Sequence, residues 1–311
     1  MLDHLLARFR HGDRLALSRL LTLVARGHHI GAILAQVVPP PRPGRVIALT
    51  GSGGVGKSTL IGKLVECARD AGQRVAVLAC DPQSPLSGGA LLGDRFRMPS
   101  RPDDDGVFIR SLAAPGGQGA VAPHVGAMSW LLETFGFDLV FLETVGAGQG
   151  DTLVHSLSDM VILLLQAETG DELQWEKAGL LEVADLIVIH KADLPGSERV
   201  EAQVKAALHL SANREVPVLR VSAKTGEGLE SLWKQIASAP HRRTAGSIGG
   251  KELLRLAQEI LALRFETAEA ARDEDLARLM ERWQKGNVDL DVAASELLRL
   301  LGNKSASTPR G

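Results

Sequence analysis

Cysteine is nearly absent: Cys67 and Cys80 are the only two in the chain, and they fall in separate apolar segments without a paired spacing. That excludes a disulfide framework and a cysteine-based zinc site, and it fits a reducing compartment. An excess of one charge is missing too, since 35 Lys plus Arg oppose 37 Asp plus Glu. The formal charge of -2 supplies no basic field for nucleic acid or for a membrane surface. Long apolar runs are also lacking. The longest, residues 160–165, is too short to span a bilayer and suits a buried parallel strand. Residues 1–10 mix charges with apolar side chains and offer no cleavage site, so no secretory signal is expected and the expected location is cytoplasmic.

The chain has 311 residues, 45% of them hydrophobic, enough for one large core with smaller appendages. Over residues 2–38 apolar side chains recur at helical spacing, interrupted by Gly12, Gly27 and Gly31. Pro39, Pro40, Pro41 and Pro43 then forbid a regular element, which closes an N-terminal helical segment and linker at 1–44. From residue 45 the pattern changes. Short β-branched runs at 46–49, 75–78, 139–142, 161–165, 186–189 and 216–221, with a further short one at 107–110, predict strands. Helices are expected between them at 57–71, 118–135, 172–183, 197–210 and 228–238. Uniformly apolar strands alternating with helices define an α/β class: a mostly parallel sheet with helices on both faces, over 45–240. Helical periodicity returns after Pro240, predicting a helical arm over 241–302 and a disordered Ser, Thr, Pro and Gly-rich tail over 303–311.

The chemistry begins at Gly51-Ser52-Gly53-Gly54-Val55-Gly56-Lys57-Ser58, directly after the first strand and opening a helix. This is the spacing and setting of a P-loop, which with Thr59 forms a phosphate cradle. Glycines let backbone N–H groups curl around phosphate oxygens, and the helix N-terminus adds its positive end. Lys57 then reaches the terminal phosphates, and the Ser58 hydroxyl can ligate Mg²⁺. A P-loop also needs an acid at the end of another buried strand. Glu143 in Phe141-Leu142-Glu143-Thr144-Val145-Gly146 supplies it where most such proteins have Asp, and Gly146 can offer its N–H to a γ-phosphate. Asp81 ends another strand and so faces the ligand edge of the sheet. Asp94 follows Gly93 in a loop, where turn chemistry explains it equally well.

Two further strand-end loops specify the base. His190-Lys191-Ala192-Asp193 and Ser222-Ala223-Lys224 follow the last two predicted strands, in that order. The Asp193 carboxylate can accept N1–H and N2–H of guanine, the Lys191 stem can cover the ring, and the backbone around Ala223 can donate to O6. Guanine-binding loops usually carry Asn where this chain has His190. That amide ties the loop to the P-loop and approaches guanine N7, so the exchange bears on affinity more than on specificity.

With these residues in view the sequence resembles the G-protein chaperones of adenosylcobalamin-dependent acyl-CoA mutases, the MeaB, MMAA and ArgK group. The resemblance is carried by Asp81-Pro82-x-Ser84, by the run from Ser87 to Met98 containing Asp94, by Glu143-Thr144-Val145-Gly146-x-Gly148-Gln149, and by Gly170-Asp171-Glu172-Leu173-Gln174-x-x-Lys177. It implies a GTPase whose Mg²⁺ environment is Ser58, Asp81, Asp94 and Glu143, with Lys57, Glu143, Gly146 and Lys177 in the catalytic machinery. It further implies slow GTP hydrolysis stimulated by a partner mutase, for methylmalonyl-CoA or a relative such as 2-hydroxyisobutyryl-CoA. Adenosylcobalamin would be involved only through that partner, possible contact with an adenosyltransferase would follow, and the C-terminal arm would make a homodimer. The segment Gln166-Ala167-Glu168-Thr169 departs from the family's Pro-Gly-Ala-Gly and implies a stiffer or retuned mobile loop. Two competing readings are a P-loop kinase of the ArgK description, which would need an acceptor site with a general base, and a nickel-delivery GTPase. The latter would advertise His or Cys clusters, and His28-His29 is the only adjacent histidine pair.

Overall fold

The computed structural model describes residues 2–38, 43–82, 104–114, 121–145, 151–167, 181, 183–211, 216–243 and 250–303. The chain divides into two compact units, 1–247 and 248–311.

The first unit is built on seven parallel strands in the order β3-β2-β4-β1-β5-β6-β7. They are β1 (Arg45–Gly51), β2 (Val75–Pro82), β3 (Val107–Ala114), β4 (Leu139–Glu143), β5 (Met160–Leu165), β6 (Leu186–His190) and β7 (Val218–Val221). The apolar runs are uniform because the inner strands are covered on both faces: β4, β5 and β6 have no exposed residue. Alternation decides which side chain faces which layer. Val46, Ala48, Leu78, Val140, Leu142 and Val161 join one core, whereas Ile47, Leu49, Val77, Phe141, Ile162 and Leu164 join the other.

The first core is covered by α1 (Leu2–Arg10), α2 (Arg14–Ala25), α3 (Ile30–Gln36), α5 (Val125–Thr134) and α6 (Asp151–Leu157). Leu6, Phe9, Leu17, Leu20, Leu21 and Ile33 are buried there, so the N-terminal helices are part of the sheet's own core. Asp13 starts α2 by accepting from the Leu15 and Ala16 N–H groups. On the opposite face lie α4 (Lys57–Asp70) and α8 (Leu229–Ser238). Helix α7 (Ser197–Ser211) packs on Leu163, Leu165, Ile187 and Ile189, which by alternation share the face of Val161.

Several elements differ from their sequence expectation. Gly31 lies inside α3 rather than breaking it. The helix expected over 118–135 begins only at Val125, because Pro123 and His124, the latter with φ 59°, hold the preceding turn. Helix α6 is missed by periodicity, being a single short segment. The expected strand at 107–110 extends to Ala114, and most of the helix expected at 172–183 lies outside the described residues.

The edge of the sheet opposite the strand C-termini is held by a charge cluster. Asp159 accepts from the Val46 N–H at 2.9 Å, from the Arg242 and Arg243 N–H groups at 3.0 and 2.9 Å, and from the Arg243 guanidinium. Arg242 forks onto Asp185, and Arg243 also meets buried Glu133, whose pKa burial pushes up. Burial raises the pKa of the Cys67 thiol and pushes that of Cys80 up to about 12.

The second unit comprises α9 (Gly250–Ala270), α10 (Glu274–Gln284) and α11 (Leu290–Asn303). Ala268, Leu276, Leu279, Ala293 and Leu301 form its interior, and Arg264 Nη1 donates to the Leu301 carbonyl at 2.7 Å. Leu254, Ile260, Trp283, Leu290 and Leu298 are exposed on it. Among the described residues no helix is long and apolar enough to cross a membrane.

Removing the Asp159 carboxylate takes the acceptor from the Val46, Arg242 and Arg243 N–H groups and leaves the Arg243 guanidinium with Glu133 as its remaining carboxylate. Asp159→Ala is therefore expected to destabilise the chain by ~3–5 kcal/mol in urea unfolding. Breaking the exposed Lys234–Glu230 pair should leave the urea midpoint essentially unmoved.

Candidate functional site

Because all seven strands run parallel, their C-terminal ends share one edge, and every described candidate residue lies there or on the loop beyond it. Residues Gly51 to Lys57 leave the middle strand and turn straight into α4. Two glycines make this turn possible. A Cβ on Gly51 would stand 2.4 Å from the Leu164 carbonyl oxygen, and Gly56, at φ 99°, starts α4 without any side-chain cap. The first turn of α4 contains no acid, so its positive end is left for an anion. Gly53, Gly54 and Thr59 are exposed on this loop and Ser52 is partly so, while Val55 is buried beneath it.

Lys57 is buried and its Nζ donates to the carbonyls of Gly51 and Ser52, at 3.0 and 3.1 Å. A lysine curled over its own loop is a point charge held where phosphates would sit. The Ser58 hydroxyl donates to Glu143 Oε1 at 2.7 Å across 85 positions of sequence. Strand register accounts for that meeting: Glu143 pairs with Leu49 on β1 and with Ala79 on β2. Asp81, buried at the end of β2, stands two residues beyond Ala79 on the same edge. Ser58, Glu143 and Asp81 form a hard oxygen set of the kind that suits Mg²⁺. The serine could keep donating to Glu143 while a lone pair faces a cation. Asp94, Gly146 and Lys177 lie outside the described residues.

The two loops expected to read the base meet one another and the phosphate loop. Ala192 N–H donates to the Val221 carbonyl at 3.2 Å, and Ser222 Oγ donates to Asp193 Oδ1 at 2.6 Å. That hydrogen bond holds the Asp193 carboxyl below its usual range, so an exposed anion with one fixed oxygen is presented at the mouth of the site. Lys191 adopts φ 57° and is half-buried; Ala223 is buried and Lys224 exposed in the turn that follows β7. His190 is buried, and its Nδ1 lies 2.7 Å from the Val55 carbonyl. Burial holds the His190 pKa below its usual value.

Sequence reasoning missed three supports. Thr50 and Thr144 join their hydroxyls at 3.2 Å under the phosphate loop, Ser197 Oγ braces the Ala192 carbonyl at 3.1 Å, and the Val55 carbonyl receives His190. A threonine closing an otherwise apolar strand, as at Thr50, is the one signal that could have been read.

A phosphate loop on the middle strand, an acid on the neighbouring strand and the named relatives that follow make this a P-loop GTPase. A family model described as methylmalonyl-CoA mutase-associated GTPase MeaB matches residues 17–279, and the chain belongs to that family. It is 35% identical over 274 residues to the GTPase ArgK of Escherichia coli, covering 84% of this chain and 82% of that one. To the mouse mitochondrial methylmalonic aciduria type A homolog it is 35% identical over 311 residues, covering 90% and 74%. A crystal structure titled LAO/AO transport system kinase superposes with TM-score 0.60 at 26% identity, covering 97% of this chain and 98% of that one.

Two outcomes are expected. Ser222→Ala frees the Asp193 carboxylate and should weaken GDP binding about 2- to 12-fold by titration calorimetry. The second concerns acid. With the folded pKa of His190 below 6.5, the unfolded chain binds the extra proton first, so stability falls as pH drops through about 6.5. His190→Asn should flatten that part of the stability–pH curve, measured as denaturation midpoints between pH 7 and 5.

Proposed function

We propose that the chain binds GTP and GDP with Mg²⁺ and hydrolyses GTP slowly alone and faster on a partner, an adenosylcobalamin-dependent acyl-CoA mutase. The observation that carries the nucleotide part is Lys57 and the Ser58–Glu143 bond at one edge with Asp193. In this reading Gly51, Ser52, Gly53, Gly54, Val55, Gly56 and Thr59 surround the phosphates. Lys57 neutralises charge that develops as the γ-phosphoryl moves to water. Ser58, Asp81 and Glu143 would hold Mg²⁺, with Asp94 the fourth expected member, and the ion would supply charge neutralisation between phosphates. Asp193 and the backbone around Ala223 would accept and donate to the guanine edge, with the Lys191 stem over its face and Lys224 beside it. Gly146 and Lys177 would couple the γ-phosphate to the partner.

The mutase partnership is supported by the family and by the mouse relative's name. Gating of adenosylcobalamin loading on a methylmalonyl-CoA or 2-hydroxyisobutyryl-CoA mutase is the finer form of the reading. The exposed apolar side chains of the second unit support a homodimer made through it.

The structural relative's title keeps a kinase reading in view. Tracing γ-labelled phosphate separates the two, because a GTPase delivers it to water and a kinase to an acceptor.

Lys57→Ala should lower the GTP turnover by about 10²–10³. Addition of the mutase found in the same cell should raise turnover of the native chain. A native rate indifferent to every such mutase would overturn the partnership while leaving the GTPase intact.

A further inference from the structure

The ring at position 190 has one proton to give, and it is already used. Nδ1 lies 2.7 Å from the Val55 carbonyl oxygen, which can only accept, so Nδ1 carries the hydrogen. The ring is 3% exposed, with burial the largest influence against a positive charge on it. It is therefore neutral, and Nε2 presents a lone pair. Nε2 is buried and has no hydrogen-bond partner among the described residues. The ring also lies close against the phosphate loop: a Cβ at Gly56 would stand 2.6 Å from both Nδ1 and Cε1.

An asparagine amide at this place has two N–H bonds, one for the loop carbonyl and one for guanine N7. Neutral histidine has one. Guanine N7 carries a lone pair and no hydrogen, as Nε2 does here, so the two atoms form no hydrogen bond. Building on the guanine-nucleotide reading above, we propose that this site holds guanine without reading N7. His190 is a positioning residue that fastens the base loop to the phosphate loop, and recognition rests on Asp193 and the backbone near Ala223. Guanine is still told from adenine, since Asp193 needs the N1–H and N2–H pair. The ligand class widens to guanine nucleotides whose position 7 is a carbon.

Competition binding of GDP against 7-deaza-GDP on the full chain tests this. The native protein should hold the two with Kd values within about twofold of each other. His190→Asn restores a second N–H and should favour GDP over 7-deaza-GDP by about 2- to 12-fold, the worth of one such bond. Each ratio is taken within one protein, so a general loosening of the loop in the variant cancels. A native preference for GDP of roughly tenfold or more overturns the inference, as does a variant ratio equal to the native one. Should the variant not fold, the ¹⁵N shifts of His190 in the GDP complex decide: protonation at Nδ1 alone supports it, and a proton on Nε2 overturns it. A native chain that binds neither nucleotide sinks the guanine reading, and this one with it.

Discussion

Burial of β1 on both faces and along both edges is the constraint on which the site depends. β1 is hydrogen-bonded to β4 on one side and β5 on the other, and six of its seven residues are buried. A strand so enclosed cannot slide without turning every side chain to the wrong layer. The loop that leaves it therefore has a fixed origin. Glu143, in register with Leu49, meets Ser58 because β4 is locked to that same strand.

Much of this was legible before any coordinates. Uniform β-branched runs identify strands covered on both faces, and the eight residues from Gly51 to Ser58 identify what the middle strand presents. The three-dimensional partnerships were less accessible. Nothing local links Asp159 to Arg243, or Ser222 to Asp193, since each bond depends on strand order. Periodicity also failed where it is short: α6 spans too few residues to display it, and α5 starts late because Pro123 and a left-handed His124 occupy the turn before it.

His190 illustrates a different limit. Its sequence position marks an irregular residue in a base-reading loop, and only the ring's distance from the Val55 carbonyl says that the tie to the phosphate loop survives the exchange. The carbonyl selects the tautomer, and burial keeps the ring uncharged. In the proposed reading, the contact to guanine N7 and the attachment of the loop, usually combined in one amide, come apart: His190 keeps the attachment alone.

The cluster around Asp159 bears on how the chain can be divided. Pro240 looks like the natural end of the sheet-bearing part, since strand patterning stops there. Yet Arg242 and Arg243 are what neutralise Asp159 and Asp185 and shield the entry of β1. A shortened chain ending at Pro240 would leave those carboxylates without their arginine partners. A fragment that keeps this edge of the sheet intact thus extends at least through Arg243.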